Sequence, residues 1–387
     1  MRMRILKSGV FLVVLPISGW ASDTRIADAG QKGDTTLVRS LVSQKADVNA
    51  PEPDGSTVLH WIVRSDDLET ADLLLRAGAN VSAVNRRGIT PLDLACVNGS
   101  AAMIHKLLDA GANPNAAHSD GQTPLMIAAR TGNPEAVRVL LDKGANINAK
   151  DAIAAQTALM FAVTENHPEA VRVLLDRGAD VNARTSIVET PPATTGNLQG
   201  IGRAQNREKP VPQGAMTPLL YAARDGRIEI ARMLLDSGAS LNQTEANGES
   251  PLLVAINNGQ VEVAQYLLEK GADANAADGF GRAPLWSAVD YRNLDAAEGS
   301  GTNGVNREAV LPLIRALLER GANPNVQTKV EPPSRRWMMP FGARQWVNPA
   351  GQTPFVRAAQ AGDVAVMRLL LEHHADPNIP TLAGVTA

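Results

Sequence analysis

Six histidines, one cysteine and a few Gly-Xaa-Gly pieces are the residues of this chain from which chemistry could be built. His60, His105, His118 and His167 are scattered, and only His373 and His374 are neighbours, with Asp376 close by. A metal needs ligands that converge, whereas adjacent residues on a helix point apart, so the spacing predicts solvent-exposed histidines and no metal site. Cys96 stands where a small residue recurs in neighbouring segments, which predicts a buried, inert thiol rather than a nucleophile. A single cysteine also excludes an intrachain disulfide framework and a thiolate zinc cluster. Gly200-Ile201-Gly202 and Gly279-Phe280-Gly281 lack the following lysine and the strand-to-helix setting that would cradle a phosphate. The acidic residues fall at recurring surface places, which is no basis for an acid/base pair. No catalytic residue and no cofactor is expected, and the chain is not expected to be an enzyme.

The elements that hold these residues repeat. Thr57, Thr90 and Thr123 stand 33 residues apart, as do Gly78, Gly111 and Gly144, and a fixed period of this size marks stacked repeats. From Thr123 to Ala149 the unit has a physical reading. Thr123 caps a first helix and Pro124 occupies its first position, where no amide is lost. Leu125, Ala128 and Ala129 form a narrow apolar stripe, and Gly132 ends the helix. A second helix starts at Asn133-Pro134-Glu135, buries Val137, Leu140 and Leu141, and ends at Gly144, where a left-handed residue costs little only for glycine. Leu59, Leu92, Leu125, Leu159, Leu219, Leu252 and Leu285 share one phase, as core positions must.

These strings resemble the ankyrin repeat family, as exported bacterial-type members of it do. The resemblance rests on TPLDLAC at 90–96, TPLMIAA at 123–129, TPLLYAA at 217–223 and the closing strings LLDKGANINA and LLEKGADANA, and it covers nearly all of the chain after residue 21. It implies an all-α solenoid of helix-turn-helix units joined by β-hairpin-like turns. The expected organisation is a leader at 1–21, an N-terminal capping repeat at 22–50, repeats at 51–183, an insertion at 184–214, and repeats at 215–326 with an inter-helix insertion near 293–306. An aromatic and basic insertion at 327–349, a repeat at 350–380 and the start of a truncated repeat at 381–387 complete it. Lys45, in the usual glycine place, belongs to the capping repeat, while His374 in place of glycine and Ala283 in place of threonine mark expected soft helix ends; His60 fills the family's histidine place and is expected to be structural.

The resemblance also implies that the chain binds a protein partner along a concave surface made of hairpin tips and first-helix ends. Carried over by position, the tips place Arg86, Arg87, Ile89, Asp120, Gln122, Phe280 and Arg282 there, and the helix ends add Arg130, Thr131, Arg224, Asp225, Asn257, Asn258 and Tyr291. These residues differ in chemistry from repeat to repeat, and for any single one a solvated surface position is the plainer reading.

Three insertions break the period. The segment 184–214 is rich in Pro and Gly and carries Arg203, Arg207 and Lys209, which predicts a long irregular loop. The segment near 293–306 is rich in Gly and Asn. The segment 327–349 holds Arg335, Arg336, Trp337, Phe341 and Trp346, types enriched at binding hot spots. Its aromatic residues either meet a partner or fold back to seal the interrupted repeat.

Composition bounds the function. Thirty-seven basic against forty acidic groups give a net charge of −3, which provides no drive toward nucleic acid. Arg2, Arg4 and Lys7 precede an apolar run from Val10 to Ile17 and the small residues Gly19 and Ala21, the pattern of a secretory signal peptide too short to span a bilayer. The expected protein is therefore an exported, periplasmic or secreted monomer without membrane insertion after cleavage, acting as a scaffold or adaptor. Two alternatives stand beside it: the binding arm of a larger exported enzyme or redox protein that continues beyond Ala387, and a secreted effector.

Overall fold

A computed structural model describes residues 24–190, 211–293, 307–329 and 350–387. The expected leader and the candidate residues Arg335, Arg336, Trp337, Phe341 and Trp346 lie outside the described residues. The chain divides into two compact units, one ending at Pro91 and the other beginning at Leu92.

The first unit contains α1 (Arg25–Gln31), α2 (Thr35–Ser43), α3 (Val58–Arg64) and α4 (Leu68–Arg76). In the second, the helices again come in pairs: α5 (Pro91–Asn98) and α6 (Ala101–Asp109), α7 (Pro124–Thr131) and α8 (Pro134–Asp142), α9 (Ala158–Thr164) and α10 (Pro168–Asp176). They are followed by α11 (Pro218–Asp225) and α12 (Ile228–Asp236), α13 (Pro251–Asn257) and α14 (Val261–Glu269), α15 (Pro284–Arg292) and α16 (Arg307–Glu319), and α17 (Pro354–Gln360) and α18 (Val364–Glu372). Within each unit first helices pack on first helices and second on second, so neighbouring repeats of the same unit touch. Leu59, Leu92, Leu125, Leu159, Leu219, Leu252 and Leu285 are all buried, and Phe355 takes that place in the last pair.

Local chemistry starts and stops each helix. Thr123 Oγ1 accepts from the Met126 amide at 3.4 Å, Thr217 from Leu220 at 3.3 Å, Ser250 from Leu253 at 3.3 Å and Thr353 from Val356 at 3.2 Å, satisfying one of the amides a helix start leaves open. Thr57 shares its cap with His60, whose Nδ1 accepts from the Thr57 amide at 3.1 Å. Ala283 provides no oxygen, and α15 begins without a side-chain cap. Thr157 departs from the pattern, because its hydroxyl is buried without a hydrogen-bond partner among the described residues. At the helix ends Gly132 has φ 88°, and Lys45 (φ 61°) and His374 (φ 65°) hold the same left-handed conformation at a steric cost that glycine avoids.

A ladder of asparagines ties successive repeats within each unit. Asn115 Nδ2 donates to the Gly144 carbonyl at 2.9 Å while its Oδ1 accepts from the Asn146 amide at 2.7 Å. The same bridge runs from Asn49 to Gly78 and Asn80, from Asn182 to Gly238 and Ser240, from Asn275 to Gly321 and Asn323, and from Asn325 to His374 and Asp376.

The insertion at 184–214 corrects the expectation of an irregular loop throughout. Its flanks, β1 (Ile187–Thr190) and β2 (Val211–Gly214), pair antiparallel with Ile187 opposite Gly214. β-branched Ile187, Val188 and Thr190 favour extended backbone, while the Pro- and Gly-rich signals that suggested a loop are concentrated between the strands. The ribbon grows from the row of hairpin tips: the Ser186 amide donates to the Ala154 carbonyl at 2.8 Å and the Ala246 amide to the Gly214 carbonyl at 3.0 Å.

Candidate partner-binding surface

The hairpin tips are built by an acceptor side chain that folds back on the tip's own amides. Asn85 Oδ1 accepts from Arg87 and Ile89, each at 3.0 Å, and Asp278 Oδ1 accepts from Phe280 and Arg282, each at 2.9 Å. Consecutive tips are joined by backbone bonds, Arg86 to the Asp54 carbonyl in the first unit and Ala152 to the Asp120 carbonyl and Gly279 to the Asn247 carbonyl in the second, each at 2.8 Å. Arg86 and Arg87 are exposed, and Ile89, Asp120, Gln122 and Phe280 are half-buried.

Arg282 is a correction. It is 9% exposed, and its guanidinium binds Asp278 at 2.6 Å and Glu249 at 2.5 Å, locking two tips together instead of facing a partner. Burial pushes the Glu249 carboxyl above its usual range, the Arg282 charge opposing this.

At the first-helix ends Arg130, Thr131, Arg224 and Asn258 are exposed and Asp225 and Asn257 half-buried. Asn257 Nδ2 donates to Glu249 Oε1 at 3.3 Å, which couples this helix end to the adjacent tip. Tyr291 is also half-buried, and its hydroxyl lies so close to Gly259 that any side chain there would overlap it. It therefore packs the junction between repeats as well as bordering the surface.

Aromatic rings beneath the arginines are functional candidates that the positional reading missed. Arg130 lies over the Phe161 ring, 4.4 Å from its centroid, Arg224 over Tyr221 at 4.8 Å, and in the first unit Arg64 over Trp61 at 5.7 Å. Trp61, Phe161 and Tyr221 share the fifth place counted from each first-helix cap, a signal present in the sequence. Tyr221 is held by Gln156, whose amide donates to its hydroxyl at 3.2 Å.

The histidines divide by environment. His105 is exposed beside Asp109. His60 is buried as a structural residue, its Nε2 reaching the Ile89 carbonyl at 3.2 Å, whereas, contrary to the expectation of solvated rings, His118 lies 2.9 Å from the buried Asp93 and His167 Nε2 donates to the Arg130 carbonyl at 2.9 Å. Cys96 is buried, and the loss of solvation raises its thiol pKa well above the ordinary value. Among the described residues no group of three or more His, Cys, Asp or Glu side chains converges to hold a metal ion, and no helix is long and apolar enough to cross a membrane.

The paired helices and bonded tips coincide with a known sequence pattern. The family description "Ankyrin repeats (3 copies)" matches residues 26–118, 99–185 and 219–299, and "Ankyrin repeat" matches 350–382, together more than half of the chain. The chain belongs to the ankyrin repeat family. Three similar curated proteins match over short stretches of this chain. Tyrosine-protein kinase HTK16 of Hydra vulgaris is 33% identical over 86 residues, covering 21% of this chain and 11% of the kinase. Neurogenic locus notch homolog protein 1 of Homo sapiens is 32% identical over 94 residues, 22% of this chain and 4% of that protein. Potassium channel AKT1 of Arabidopsis thaliana is 34% identical over 67 residues, 17% of this chain and 8% of the channel. This ankyrin chain thus spans about a tenth or less of these relatives' length. The solved ankyrin repeat domain of Bcl-3 covers 60% of this chain and 93% of its own, at 28% identity and TM-score 0.49. Ankyrin repeats are protein-interaction modules, and that general role applies here.

Proposed function

We propose that this protein is a non-catalytic scaffold or adaptor, exported to the periplasm or secreted, that holds a protein partner on its hairpin tips and first-helix ends. One observation carries the binding reading. The core and capping positions repeat from unit to unit, while in the second unit the surface positions beside them vary between Asp120, Arg130, Asn258 and Phe280, as a surface suited to one partner requires. A surface already ordered by bonded tips loses little entropy on binding. The leader at 1–21 and the insertion with Trp337 and Trp346 support the finer parts of the proposal from sequence alone.

Affinity capture from the native exported compartment tests it, with the full chain beside a Trp337→Ser, Trp346→Ser variant of matched stability. A discrete partner retained by the full chain supports the scaffold, and its loss from the variant assigns the aromatic insertion to binding. Capture of nothing by either form overturns the scaffold. Export is checked separately by the N-terminus of the protein recovered from cell fractions: cleavage after Ala21 outside the cytosol is expected, and intact protein confined to the cytosol overturns export.

A further inference from the structure

The first helices of the second unit carry four arginines among the described residues, and three are neutralised internally. Arg224 binds Asp225 through two bonds at 2.8 and 3.0 Å. Arg292 binds Asp363 at 2.9 Å and Arg357 binds Asp290 at 2.6 Å. Arg130 differs: it is exposed, lies over Phe161, and its guanidinium has no carboxylate partner among the described residues.

Arg224 shows what is missing. Both arginines hold the eighth place counted from the helix cap, and both lie over an aromatic ring. Tyr221 belongs to Arg224's own helix and Phe161 to the repeat after Arg130, and the next residue differs as well, being Asp225 after Arg224 and Thr131 after Arg130. Thr131 turns its hydroxyl to the Cys96 and Ile127 carbonyls, both at 3.0 Å, and offers the guanidinium nothing. A ring beneath a guanidinium restrains it while its planar fork of donors stays available for two-point binding of a carboxylate. The bond from Thr131 to Cys96 also sets the end of α5 beside that of α7, where Val97 is 59% exposed. An unsatisfied cation and an exposed aliphatic side chain on neighbouring first-helix ends have a definite complement.

Resting on the partner-binding reading above, we infer that Arg130, seated on Phe161, is the point at which the partner's own aspartate or glutamate docks, with an aliphatic partner residue against Val97 on the neighbouring first-helix end. The occupant is an acidic-aliphatic peptide segment.

Selection of a random peptide display library on the full chain tests this. The enriched peptides are expected to share an Asp or Glu next to Leu, Ile, Val or Met. Arg130→Gln is expected to weaken such a peptide at least tenfold at unchanged melting temperature, and Arg172→Gln, at an exposed position of the second helix α10, to leave it unaffected. Arg130→Glu is expected to enrich Lys or Arg in place of the acid. Enriched peptides without a common acidic residue, or equal binding by wild type and Arg130→Gln, overturn the assignment and leave protein binding standing. A selection that yields no binder overturns both.

Discussion

His167 closes over Gly132. Its ring occupies the space a Cβ at position 132 would need, and its Nε2 donates to the Arg130 carbonyl at 2.9 Å, one residue from the helix end. The second helix of one repeat is thereby fastened to the first helix of the repeat before it. Asn133 and Gln260 do the same for the Gly99 carbonyl at 2.7 Å and the Arg224 carbonyl at 3.3 Å.

Gly132→Ala is expected to destabilise the second unit by about 2 kcal/mol or more, because φ 88° is costly for any residue with a Cβ and the new methyl displaces the His167 ring. Gly144→Ala meets the same conformational cost at φ 87° with nothing within 4 Å of the new methyl, so it should cost less. Chemical denaturation of the two variants gives the comparison. Equal losses would show that the His167 contact contributes nothing.

Caps of the same residue type should differ in worth. Thr217→Ala removes an oxygen that caps Leu220 and should cost about 1 kcal/mol. Thr157→Ala removes a buried hydroxyl without a partner and should cost distinctly less or stabilise. Ala283→Thr, in an extended cap conformation matching that of Thr217, should add about 0.5 to 1 kcal/mol. Equilibrium urea unfolding of the three variants reads each difference directly.

Glu249 predicts a pH dependence of definite sign. Its folded-state pKa is raised above 4.5, first by burial, so the native state binds more protons than the unfolded one in the window that opens at that value and closes at the raised one. Its contribution to stability therefore falls as pH increases through the window. Glu249→Gln, which holds the neutral form, should gain stability relative to wild type as pH rises from 4.5 through that window. A difference that is flat, or that moves the other way, removes the burial account.

Cys96 should resist thiol reagents in the folded protein and react at the rate of unfolding in denaturant, because burial disfavours the thiolate that is the nucleophile. Rapid labelling under native conditions would show that α5 opens easily.

Much of this was written in the repeats. The 33-residue period located Leu125 and its equivalents in the core and Gly132 at a helix end, because each depends on local geometry renewed in every unit. Arg282 was misplaced for the opposite reason. Whether a tip arginine faces outward is decided by Glu249, 33 residues away and on the preceding tip, and position within the repeat carries no record of that neighbour. His118 was misread for the same cause, its partner Asp93 lying on another element. The ring under Arg130 is likewise set by Phe161 of the following repeat. The ribbon at Ile187 was hidden because turn-forming residues between the strands outweighed four residues of strand pattern on each side.

The asparagine bridges are indifferent to contour length. Asn115 reaches a carbonyl 29 residues ahead, yet Asn182 makes the same bond across 56 residues, Asn275 across 46 and Asn325 across 49. The rungs are spaced by geometry while the thread between them varies, so the chain can take up or lose segments at these three places without shifting the lattice. The insertions are thus interchangeable fittings on a frame of fixed pitch, and replacing one with an unrelated loop of different length should leave the rung beneath it in place.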